Sequence, residues 1–418
     1  MIDQTGLVRS ARKNKPPVPV REPMEAGRSF FSLFWIFLKL GLTSFGGPIA
    51  HLGYFRKEFV EKRQWLEERE YAELVALCQF LPGPASSQTG IGIGMLRGRW
   101  LGALAAWLGF TLPSALLMIG LGLGVNAVEG LAGWGLVAGL KIAAVLVVIQ
   151  AVWSMAHSLC PDTIRKTLAV EVAVLLFLFP WPWMQVFVIL LAAVTGMILF
   201  QDKVEVLPKK SVKYGVSRSG GWVALGIWGG GLILLPVVGA LYPEGWLGIA
   251  DRFFRAGALV FGGGHVVLPL LEAEMVVPGV IQEGEFLAGY AAAQALPGPL
   301  FAFAGYLGAV SLIGPTGWLG GLGGVVFIFL PGALILIAVL PFWEQLRRFP
   351  IISAAVLGAN AGVVGVLAAA LYDPIFISSI HGSKEMVVLA LGSIPLFIYR
   401  LPVWITILVC AVLGMIVL

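Results

Sequence analysis

The chain has 418 residues, 58% of them hydrophobic and only 12% charged, with a mean hydropathy of +0.91. A water-soluble globule does not carry that balance, so the surplus charge of +5 reads as topological signalling and not as a nucleic-acid footprint. Apolar stretches long enough to cross roughly 30 Å of hydrocarbon recur along the chain, which makes it an all-α polytopic membrane protein in contact with lipid. Cys78, Cys160 and Cys410 are scattered without metal or redox spacing. No catalytic or nucleotide-binding motif occurs, so no metal, no cofactor and no enzymatic activity is expected.

Residues 1–28 form a polar, basic tail carrying Arg9, Arg12, Lys13, Lys15, Arg21 and Arg28. No apolar core with a cleavage site follows, so the tail reads as cytoplasmic and retained. Thirteen apolar segments then follow, at 29–50, 71–95, 100–124, 131–154, 168–180, 182–200, 221–241, 249–271, 286–313, 317–342, 351–372, 386–399 and 402–418. The stretch 201–220, with Lys203, Lys209, Lys210, Lys213 and Arg218, is a basic cytoplasmic linker. It divides a first repeat, 29–200, from a second, 221–418, which consists of an extra span and a second copy.

The repetition is read residue by residue. Lys39, Gly41 and the run Phe45, Gly46, Gly47 reappear as Arg255, Gly257 and Phe261, Gly262, Gly263. Gln79, Pro82, Gly83 and Pro84 reappear as Gln294, Pro297, Gly298 and Pro299. Trp100 matches Trp318, Pro113 matches Pro331, and Lys141 meets Asn360. With the tail and linker both cytoplasmic, the extra span turns the second copy over, so the repeats are inverted and the C-terminus is periplasmic. Inverted repeats with broken helices favour alternating access around a midplane site. One loop resists this parity: Arg56, Lys57, Lys62, Arg63 and Arg69 fall outside. Either neighbouring glutamates override the rule, or the breaks mark re-entrant hairpins that do not cross.

A Pro-Gly-Pro step inside an apolar segment breaks the helix and frees backbone groups, which is tolerated only where they are buried in protein or line a wet cavity. The Phe-Gly-Gly runs, the first followed by Pro48, leave bare amides at a helix end, where an anion is stabilised by the dipole. Lys39, Lys141 and Arg255 lie within apolar segments and are costly there, so an anion-facing role is expected of them, against snorkelling or a pair with Glu171. Gln79, Gln88, Gln294 and Asn360 add neutral groups suited to tetrahedral oxygens. His51 and His265, just past the two glycine runs, are candidates for carrying a coupling proton.

Together these motifs resemble the chromate ion transporter family in its long two-domain form. The match rests on the 39–48 and 79–84 stretches with their copies at 255–263 and 294–299, and extends over the chain from about residue 29. The resemblance implies about 13 spans in a bacterial inner membrane, and export of chromate driven by protons or membrane potential. Sulfate or another oxyanion is the alternative substrate, a channel the alternative mechanism, and a homodimer a possible assembly. The second copy departs from the first in having Gly264 where Pro48 stands, and Asn360 where Lys141 stands, so the copies are expected to divide their labour.

Overall fold

The structure, a computed structural model, describes residues 29–45, 47–128, 134–179, 184–201, 214–261, 266–346 and 349–418, and these contain helices and no strand. The tail 1–28 and most of the linker, 202–213, lie outside the described residues. The first copy comprises α1 (Phe30–Thr43), α2 (Gly47–Arg56), α3 (Glu68–Phe80), α4 (Ala85–Val128), α5 (Trp134–Leu159), α6 (Thr163–Leu178) and α7 (Met184–Leu199). α8 (Arg218–Leu241) follows, then α9 (Trp246–Ala258), α10 (Val267–Met275), α11 (Glu283–Ala295), α12 (Phe303–Val310), α13 (Gly317–Val339), the short α14 (Trp343–Leu346), α15 (Pro350–Ala370), α16 (Ser383–Ser393) and α17 (Val403–Val417). Local chemistry sets the starts: Asp162 accepts the Arg165 amide at 3.0 Å and Ser217 Oγ accepts the Gly220 amide at 3.1 Å. At α3 the Glu67 amide donates to Glu70 Oε2 at 2.9 Å. Each satisfies a backbone or side-chain group that a bare helix end would leave orphaned.

The segments 29–50, 71–95, 249–271 and 286–313 are not continuous crossings. α1 has 14 residues and α3, α9 and α11 have 13 each; at 1.5 Å per residue they reach about 20 Å, short of the hydrocarbon layer. In the first copy the chain folds back at each break. The Phe37 ring of α1 packs on Phe55 and Phe59 at 5.8 and 5.1 Å, so α2 returns along α1. A Cβ on Gly92 would lie 2.7 Å from Leu74 Cδ1, so the first arm of α4 returns along α3. α4 is itself interrupted at Gly98 and Arg99, where Arg99 has φ 53°. Its arms, 85–97 and 100–128, double back so closely that Gly94 and Gly102 meet backbone to backbone.

Loop 57–67 and the turn at 97–99 therefore share one face, where the Arg97 guanidinium lies 4.3 Å from the Trp65 ring centroid. The parity expectation placed that loop opposite Arg97 and Arg99, and the count of thirteen crossings treated the broken segments as spans. The structure instead puts that loop and Arg97 on one face, the arrangement that the re-entrant alternative requires, and divides the broken segments into half-length helices. The loop is held by ion pairs: Arg56 with Glu61 and Glu68, and Arg63 with Glu58 at 2.6 Å. Burial raises the Glu58 pKa, but hydrogen bonds and charge from Arg63 and Lys62 outweigh it and hold the carboxyl below its ordinary value.

The second arm of α4 carries the chain to the opposite face, where Leu123 meets Gly317 and Gly122 meets Ala309. There the second copy builds its own cap: Leu312 N–H donates to Val280 O at 3.1 Å and Gly314 N–H to Glu244 O at 2.8 Å. The copies make equivalent contacts reciprocally. Gly41 of α1 rests on the Phe110 carbonyl of α4, and Gly257 of α9 on the Ile328 carbonyl of α13. Gly139 of α5 meets Cys410 of α17, while Gly358 of α15 meets Ala192 of α7. Each copy thus lends a helix to the other, and glycine is what permits the close approach.

Candidate functional site

The two Pro-Gly-Pro steps cross at the centre of this interlock. Gly83 and Gly298 hold φ of 121° and 97°, a region closed to side chains with a Cβ. The Gly83 amide donates to the Val260 carbonyl at 2.7 Å, and the Gly298 amide to the Ser44 carbonyl at 3.0 Å. Val260 and Ser44 are equivalent residues, each immediately before its Phe-Gly-Gly run, so each copy's proline break is pinned to the other's glycine break. The pattern continues one layer out. Gly83 abuts Gly332, and Gly298 abuts Ser114, its equivalent. Gln88 Nε2 donates to the carbonyls of Pro82 and Gly332, both at 2.9 Å.

A cavity of ≈650 Å³ opens beside the crossing. Its wall joins Phe45, Gly47 and Pro48 to Gln79 and Gly83, and these to Gln294, Gly298 and Asn360. Three helix starts face it: Gly47 of α2, Ala85 of α4, and Leu300, which leads through a short 3₁₀ turn into α12. Such starts offer amides without intrahelical partners and the positive end of the peptide dipoles. Side-chain oxygens of Ser44, Ser87, Gln88 and Asn360, and His51 Nε2, are buried around the breaks without a hydrogen-bond partner among the described residues. His51 also lies 3.4 Å from Ser86 Oγ through its other nitrogen. Of these groups Asn360 is in the cavity wall, and the amide N–H and hydroxyl groups of Gln79, Gln294, Asn360, Ser154 and Ser158 on that wall can donate to an oxygen-rich ligand.

The cavity extends toward the face of the first copy's hairpins, between Ser154 and Ser158 near the end of α5 and the segment from Leu401 to Trp404. Gln150, Ser154 and Ser158 were not among the residues expected from the sequence. Their spacing of four on an otherwise apolar helix is a readable polar stripe.

The three cations expected to face an anion are not in this wall. Lys39 is exposed and lines a second cavity of ≈450 Å³ with Thr43, Lys57, Glu58 and Arg63. Arg255 is held by Asp251 at 2.7 Å and Glu274 at 2.8 Å. Lys141 stands on the opposite side of the breaks, its Nζ 3.1 Å from where a Cβ on Gly284 would lie. Pro82, Pro84, Pro297 and Pro299 frame the breaks; Pro84 packs on Gly332. Phe261 ends the described part of its glycine run, and Gly46, Gly262, Gly263 and His265 lie outside the described residues.

No solved structure matches the chain. A protein described as a probable chromate transport protein from Synechococcus elongatus is 29% identical over 351 residues, covering 80% of this chain and 81% of its own. Chromate transport proteins from Pseudomonas aeruginosa and Cupriavidus metallidurans are 27% and 28% identical, over 87% and 81% of this chain and 85% and 80% of theirs. The family model for the chromate transporter matches residues 31–197 and 247–415, one match per copy, leaving α8 between them. Both matches carry the paired breaks and the glycine contacts that interlock them, and the chain belongs to the chromate transporter family.

Proposed function

We propose that the protein exports chromate from the bacterial cytoplasm across the inner membrane, and that the cavity at the crossed breaks is its anion site. The observation that carries this reading is the convergence of three helix starts and two equivalent glutamines, Gln79 and Gln294, on one cavity. Backbone amides at Gly47, Ala85 and Leu300, with Gln79, Gln294 and Asn360, hold the four oxygens. The positive dipole ends supply the field that balances a dianion. Lys39 stands at the edge as part of an attracting surface, and Arg255, held by two carboxylates, stiffens α9. The His51 imidazole beside Ser86 is the candidate for carrying a coupling proton.

The face bearing loop 57–67 and the turn at 97–99 is the cytoplasmic one, because Lys and Arg concentrate there. Among the described residues five helices are long and apolar enough to cross, α4, α5, α8, α13 and α15 with its continuation; the shorter α6, α7, α16 and α17 are assigned as crossings by the side on which their flanking loops must lie, beside four re-entrant hairpins. The tail, linker and Arg400 fall inside, and the C-terminus outside. Two negative charges leaving an interior held at −100 mV release about 4.6 kcal/mol, at ~2.3 kcal/mol per charge, so voltage alone can drive export.

Uptake of labelled chromate into everted vesicles, under voltage and pH gradients imposed separately, tests this. Chromate uptake that follows voltage supports the reading, and uptake that needs a pH gradient points to proton exchange. Uptake of sulfate in place of chromate reassigns the substrate, and no uptake of either anion contradicts the proposal.

A further inference from the structure

The cavity is lopsided although the interlock around it is reciprocal. On α5 it is lined by Val147, Gln150, Ala151, Ser154 and Ser158. At the offset that pairs Lys141 with Asn360, the equivalents on α15 and its continuation are Val366, Ala369, Ala370, Asp373 and Ile377. None of these is in the cavity wall, although Val366, Ala369 and Ala370 are about as buried as Val147 and Ala151. The second copy also packs a cluster of rings after its break: Phe303 touches Phe286 at 5.3 Å and Tyr290 at 5.9 Å, and all three are fully buried. The first copy has Gln88 where Phe303 stands.

We infer that these α15 positions line a second, closed half of the anion path. It opens to the opposite face when the two copies exchange their packing, and Lys141 meets the anion there, as Asn360 does on the open side. Exchange costs least where equivalent contacts are made of like residues, and along the helix seams they are. Val147 and Val366, Ala151 and Ala370, and the seams Gly139–Cys410 and Gly358–Ala192 pair one to one. Those seams are built of small side chains, on which α5 and α15 can slide without unlocking bulky knobs. Lys141 has no ion pair among the described residues and leans on Gly284 at the start of α11, beside Glu283. A half-buried cation without an ion pair is available to an anion in a state that admits one.

The inference rests on the cavity being the anion path, so the test reads the two separately. Single cysteines are introduced in the full chain at Ala151 and, in separate variants, at Ala370 and Ala369. A membrane-impermeant cationic thiol reagent is added to right-side-out or everted vesicles. The native Cys78 lines the cavity, so the cysteines are introduced into a chain carrying Cys78→Ala, Cys160→Ala and Cys410→Ala, and that cysteine-less chain is the blank. Ala151→Cys is expected to react from the cavity side and to be protected by chromate; absence of protection refutes the cavity itself. Ala370→Cys and Ala369→Cys are expected to react from the opposite face alone, at least tenfold faster with a chromate gradient than without. With Ala151→Cys protected, no reaction of either from that face, or reaction of both from the cavity side, overturns the second half-path. Lys141→Gln is expected to cut export at least tenfold and leave chromate protection of Ala151→Cys at the same half-effective concentration, with Lys141→Arg restoring export. Equal loss of export and protection, or no loss of either, would overturn the role given to Lys141.

Discussion

Gly83 and Gly298 are the residues on which the crossing depends, because their amides carry its two reciprocal hydrogen bonds at positive φ. Adding a methyl group forces either the backbone or the facing Gly332 and Ser114 to move. Gly83→Ala and Gly298→Ala are therefore expected to destabilise the protein by about 2 kcal/mol or more, read as a lowered Tm in detergent micelles. Gly53→Ala, whose Cβ meets nothing within 4 Å, is expected to change stability by less than about 0.5 kcal/mol. The breaks were legible in the sequence because a Pro-Gly-Pro step has no bland place in an apolar segment. The positions of the cations were not. Lys39 is exposed while its neighbours Phe37 and Leu40 are buried, and which stripe of α1 faces the protein depends on partners far along the chain, in α4.

Among the elements, the helical hairpins make the largest departure from a hydropathy reading. Two half-length helices joined at a break average the same apolarity as one span, so no window distinguishes them. The distinction lies in contacts such as Phe37 on Phe55 and Gly94 on Gly102. The basic loop at Arg56 to Arg69 was the clue, since it opposed the parity count until the breaks became turns. Cysteines placed at Lys62, at Arg99 and at Glu244 test the topology. The first two are expected to react with an impermeant reagent from the cytoplasmic side and the third from the outside. Reaction of Lys62→Cys and Arg99→Cys from opposite sides would restore the thirteen-span count.

As a whole molecule the chain is a pair of copies that cannot be drawn apart without breaking each one's packing. α5 of the first copy lies on α17 of the second, and α15 of the second on α6 and α7 of the first. Halves split within 202–213 are expected to be degraded or aggregated when made singly, and to assemble into a protein with wild-type export when made together. Size-exclusion chromatography and vesicle uptake of the co-produced halves check this. The duplication was plain in the sequence, as was the inversion that the extra helix α8 implies. The interlock was not, because a repeat register says which residues correspond and not which copy each one touches.

The central claim, that the anion passes between equivalent polar groups at the crossed breaks, is most directly tested by labelled chromate uptake into everted vesicles carrying Gln79→Ala and Gln294→Ala together. Hydrogen bonds to a charged ligand contribute about 1.5–3 kcal/mol each. The double variant is accordingly expected to take up chromate at under one hundredth of the wild-type rate at sub-saturating concentration, with its Tm within a few degrees of wild type. Wild-type uptake by a folded double variant would contradict the account.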